Sequence, residues 1–143
     1  MTELMEDRIK AVMDDWPDLT MVGFFTPLSV TLETDGTEML KVDRELMLNS
    51  LSIDGFAISL EFIEENLKQD NRVNLETSSY DLKSRVVKWA RATRGPAHVS
   101  NGMFIAAMID RGYRVGKIDG TNCYFNITRE SLKRVNDLYG GDV

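Results

Sequence analysis

The chain is short of the residues that carry most site chemistry. Among its 143 residues there is one cysteine, Cys123, and one histidine, His98. A lone thiol cannot close an internal disulfide, and one thiol with one imidazole cannot supply the four ligands of a structural zinc site. Proline is scarce as well, with three residues, and the composition is 43% apolar and 28% charged. Those proportions exclude a disordered or collagen-like chain. No apolar run approaches the ~18 residues a membrane helix needs, so no membrane partner is expected. The opening MTELMEDRIK is acidic and has no apolar centre, so no secretory leader is expected and the setting is read as cytoplasmic.

The scarcity extends to motifs. Asp14, Asp15 and Asp18 lack the glycine and terminal glutamate of a calcium loop. Arg94-Gly95-Pro96 reads as a turn, not a phosphate cradle. His98 beside that turn reads as a surface or capping residue, and Cys123 in an alternating segment reads as a small buried hydrophobe. No catalytic residue, no metal ligand and no cofactor is expected, and the chain is read as a non-enzyme.

What is present is an uneven charge distribution. The net charge is −6. Residues 1–77 with Ser78 hold 17 acids and 6 bases, net −11, whereas residues 79–143 hold 6 acids and 11 bases, net +5. Such asymmetry points to nucleic acid or an acidic partner for the basic part, the alternative being two solvated faces. The length fits one domain, or an acidic portion 1–77 and a basic portion 78–143.

The apolar spacing predicts an α+β chain. Leu4, Met5, Ile9, Val12, Met13 and Trp16 form a helix that Pro17 stops. Met21–Phe25 reads as a strand, and Leu28–Val42 as a hairpin turning at Asp35-Gly36. Asp43 caps a short helix with Leu46, Met47 and Leu51, and a second helix spans about 57–69, with Glu61, Glu64 and Glu65 on its polar side. Residues 70–77 are polar and aperiodic, a linker. Ser78 opens a helix that Gly95-Pro96 breaks, Ser100 opens another that ends near Gly112, Asp119-Gly120 turns a hairpin, and Thr128 caps a last helix.

Residues 79–139 therefore run helix, turn, helix, hairpin, helix, the order of a winged helix-turn-helix, whose second helix enters the major groove while the hairpin touches an adjacent groove or backbone. Phe104, Met108, Gly112 and Tyr113 resemble the winged-helix domain that ends many phage and plasmid primase-helicases. Ser79–Lys83 and Ser100–Ala107 are similar to a Ser-Tyr-x-Leu-Lys…Ser-Asn-Gly-x-Phe-Ile-x-Ala-Ala stretch of small bacteriophage and prophage proteins. The resemblance covers about 50 residues and carries no Walker-type loop or primase motif, so no enzymatic activity comes with it.

Nucleic acid is accordingly one expected partner. Lys83, Arg85, Lys88, Arg91, Arg94, Arg114 and Lys117 are candidates for phosphate contact, with Asn101 the only polar reader near the start of the second helix. Ala106, Ala107 and Met108 cannot make bidentate base contacts, which favours backbone or shape binding. The alternative is a protein-interaction module, either inhibiting a host protein through the acidic portion or forming a homodimer through the apolar N-terminal helix.

Overall fold

The computed structural model describes residues 2–24 and 45–140. Among these residues, mixed helices and two small antiparallel hairpins make the fold α+β. The first helix forms where the periodicity places it, as α1 (Thr2–Asp15), and turns Ile9, Val12 and Met13 inward. Pro17 stands two residues past its end. The apolar run that reads as a strand at Met21–Phe25 instead reverses direction. Leu19–Thr20 (β1) pairs with Gly23–Phe24 (β2), and Met21 and Val22 form the turn. The Thr20 hydroxyl donates to the Gly23 carbonyl at 2.8 Å, which fixes a reversal too short for hydrophobic patterning to register. The expected hairpin at 28–42 and the Asp43 cap lie outside the described residues.

The next helix is α2 (Ser50–Asn66), capped by Asn49, whose side chain accepts from the Ser52 amide at 2.9 Å. It starts well before residue 57 and takes in Leu51, so only a helical turn at 45–47 remains of the expected short helix. Gly55 lies inside this helix. A glycine inside an apolar pattern looks like a boundary, yet here a Cβ on Gly55 would come within 2.8 Å of the His98 carbonyl. The glycine serves close packing and leaves the helix intact. Glu61, Glu64 and Glu65 are exposed, as the pattern requires.

Residues 70–77 do not hang as a free linker. The Asp70 and Asn74 amides donate to the Asn126 and Phe125 carbonyls, both at 2.9 Å, and the Asn126 amide side chain donates back to the Asp70 carbonyl at 2.8 Å. A polar segment without period is here held by backbone pairing, which side-chain patterning does not report.

The remaining elements follow the sequence closely. Helix α3 (Ser79–Thr93) is capped by Ser78, α4 (Asn101–Asp110) by Ser100, and α5 (Arg129–Tyr139) by Thr128. Each cap hydroxyl accepts an amide in the first turn of its helix. Strands β3 (Val115–Asp119) and β4 (Asn122–Phe125) pair antiparallel, with an irregularity between Val115 and Lys117.

The core centres on α4. Every residue from Asn101 to Met108 is buried, and α1, α2, α3 and the β1–β2 turn pack around it. Phe56 and Phe62 from α2, Ile9 from α1, Trp89 from α3 and Phe125 from β4 belong to the same buried cluster as Phe104. Phe62 meets Trp89 edge-on at 5.5 Å between centroids. The core therefore runs across the 77/78 boundary, and the Arg8–Asp110 and Arg94–Glu61 ion pairs also join the two charge-distinguished portions.

Candidate nucleic-acid interface

Helix α3 faces inward with Leu82, Val86, Trp89 and Ala90. At 3.6 residues per turn, its cations and the capping Arg94 fan across the opposite side. Lys83 and Arg94 are three turns apart on one line, and Arg91, Lys88 and Arg85 follow in sequence around the helix. Asp81 is the one acid in that helix. Of these cations, Arg91 and Arg94 are exposed, while Lys83 and Arg85 are half-buried.

The members of this surface differ in how they are held. The Lys83 ammonium lies 4.4 Å from the centroid of the Tyr80 ring. Arg85 donates through Nε to Asn136 Oδ1 at 3.1 Å, which pins it against α5. Arg91 is exposed and Lys88 is half-buried. Arg94 pairs with Glu61 of α2 while its guanidinium lies 5.1 Å from the Trp89 ring centroid. Both partners of that ion pair are well exposed, so its contribution is small and a polyanion can compete for Arg94.

The hairpin carries the remaining candidates. Arg114 precedes β3 and donates to the Asn71 carbonyl at 2.7 Å, so it braces the 70–77 segment. Lys117 is exposed on β3, opposite Tyr124 in the register. The hairpin is fastened to the start of α3 by the Cys123 amide, which donates to Ser79 Oγ at 3.1 Å. Lys117 and the α3 cations therefore come from elements joined directly to each other, whereas Arg114 points to a different neighbour.

Asn101 stands apart. It is 5% exposed, and its Nδ2 donates to the Val22 carbonyl at 2.9 Å and to Asn122 Oδ1 at 3.0 Å. It ties the head of α4 to both hairpin turns and is not presented to a ligand. The same enclosure applies to all of α4 up to Met108, so the helix that the winged-helix order assigns to the major groove is the central core helix here. The signal was available, since a helix apolar around its whole circumference is a buried one. The apolar residues of α1 are similarly engaged within the chain, with Leu4 exposed and Ile9, Val12 and Met13 in the core.

Tyr80, outside the set of cations that the sequence marks, is 53% exposed on the same side of α3. Its sequence signal was an aromatic at helical spacing among lysines and arginines. The basic residues of α5 are more committed: Lys133 pairs with Asp137 at 2.7 Å, and Arg134 reaches Asn66 at 3.4 Å. A cleft of about 630 Å³ is lined by groups of both signs, Asp70, Arg72, Glu76 and Arg129 among them.

Cys123 is fully buried, and burial, partly opposed by its hydrogen bond with Ser79, pushes its thiol up from 9.0 to about 12. Burial likewise pushes the Tyr113 phenol up from 10.0 to about 12, partly opposed by Arg111. Folding thus holds both groups protonated, and the unfolded chain loses those protons first. Stability contributed this way is complete below pH 9 and declines as pH rises from 9 toward 12. The urea midpoint is expected to stay level from neutrality to that point and then fall, with Tyr113→Phe blunting the part above pH 10. Iodoacetamide, followed by mass spectrometry, is expected to label Cys123 only in denaturant. Ready labelling of the native chain at neutral pH would contradict this burial.

No protein-family model, no curated protein and no solved structure matches this chain. Among the described residues, no helix is long and apolar enough to cross a membrane.

Proposed function

We propose that this chain is a non-enzymatic nucleic-acid-binding or regulatory protein of phage type, acting in the cytoplasm and binding largely through phosphate contacts. The observation that carries this reading is the cationic side of α3, with Lys83, Lys88, Arg91 and Arg94, together with Lys117 on a hairpin that is hydrogen-bonded to the start of that helix. Cations aligned on one rigid element neutralise successive phosphates and release their condensed counterions. The enclosure of α4 supports a particular mode of binding: with no groove helix to read base edges, contacts to the backbone position the polymer without specifying sequence.

The test is a fluorescence-anisotropy titration of the full chain against duplex and single-stranded DNA at low and moderate salt. Affinity is expected to drop steeply with salt and to vary little with base composition. If neither form binds at low salt, the nucleic-acid reading falls. The chain is then a protein-interaction module, with the acidic portion as the surface that engages a host protein.

A further inference from the structure

We infer that Tyr80 is a base-stacking platform and that the cationic face prefers single-stranded nucleic acid over duplex. The inference deepens the phosphate-binding reading and rests on it. Tyr80 is the large aromatic that α3 leaves in solvent, at 53% exposure, whereas Trp89 on the same helix is buried at 2%. An exposed ring on a solvated helix face contributes nothing to the core, and its surroundings suit a nucleotide. The Lys83 ammonium lies over one face of the ring, 4.4 Å from its centroid, so a stacking base takes the other face or displaces the ammonium, with a phosphate-binding charge at hand in either case.

A second aromatic, Tyr124, sits one residue from the hydrogen bond that joins hairpin to helix. The bond from the Cys123 amide to Ser79 Oγ joins β4 to α3, and Tyr80 and Tyr124 are each the next residue after one of its ends. Cys123 points into the core, so alternation directs the half-buried Tyr124 to the opposite side of the strand, where Lys117 is its cross-strand partner. Two tyrosines, each with a lysine neighbour, therefore flank the junction of hairpin and helix. Aromatic rings interleaved with cations are what a single strand requires, because its unpaired bases expose π-faces that a duplex keeps stacked inside. A duplex can use the lysines but offers Tyr80 no base.

The experiment compares the full chain with its Tyr80→Ala and Tyr80→Phe variants on a dT oligonucleotide and on a mixed-sequence duplex of equal length. Tyr80→Ala is expected to weaken dT binding about 10-fold and leave duplex binding unchanged, while Tyr80→Phe, which keeps the ring, stays within about 2-fold of the parent. Equal dT affinity for the parent and Tyr80→Ala overturns the inference, as does an equal loss on dT and duplex. A parent that binds duplex but not dT overturns it while leaving the phosphate-binding reading standing. A parent that binds neither overturns both. Thermal melting of each variant confirms that an exposed-site change has left the fold in place.

Discussion

Gly102→Ala is expected to destabilise the fold by about 3 kcal/mol or more, where helix propensity alone would favour alanine by about 1 kcal/mol. Gly102 is the second residue of α4, and a Cβ there would lie 1.7 Å from the Thr20 carbonyl oxygen and 2.7 Å from its carbon. Those atoms are backbone, so no rotamer change relieves the clash. The Gly102 amide also donates to the Met21 carbonyl at 2.9 Å, and the neighbouring Asn101 side chain donates to Val22. Moving the β1–β2 turn away from α4 would break both bonds and open the core beside Met103. The urea midpoint measures the effect. A stabilised Gly102→Ala chain would show that the turn does not sit on the head of α4.

The contrast between that prediction and propensity illustrates where the sequence is legible. The caps Ser78, Ser100 and Thr128 and the turn at Asp119-Gly120 act locally, through a hydroxyl reaching its own helix or a reversal within a few residues, and the elements they bound form where expected. The helix start at Ser50, ahead of Gly55, and the turn at Met21-Val22 differ from the sequence reading for the opposite reason. Gly55 answers to His98, far away in the chain, and the two-residue strands beside Met21 are too short to have a period. The role of 70–77 depends on pairing with 125–126, another distant relation. For the candidate site, the clustering of cations on α3 was legible because helical spacing alone fixes which side they share. The withdrawal of Asn101 from that surface, the bracing of Arg114 by Asn71 and the pairing of Arg94 with Glu61 were not, since each depends on a partner from another element.

The double variant Lys88→Glu with Arg91→Glu carries the largest expected functional effect. Both residues lie on the outward side of α3, away from Leu82, Val86 and Trp89, and Arg91 is exposed. If the α3 face binds phosphates, replacing two cations with two anions removes two of its partners and repels phosphates that Lys83 and Arg94 would hold. Affinity for any nucleic acid is expected to fall on the order of 100-fold at low salt, with no change in base preference. Leu82, Val86 and Trp89 stay in place, Arg91 is exposed and Lys88 is half-buried, so any fall in melting temperature is expected to come from Lys88→Glu, and Arg91→Glu alone serves as the stability control.

The most direct measurement is the salt dependence of binding for the parent and this double variant, followed by anisotropy on one oligonucleotide. If the α3 face binds phosphates, the logarithm of the parent's association constant falls linearly with the logarithm of salt, by about 0.7 per phosphate on a single strand and about 0.9 on a duplex. The double variant then binds more weakly with a slope flatter by about 2. A double variant that keeps the parent's affinity and slope, while remaining folded, would contradict the assignment of nucleic-acid binding to this face.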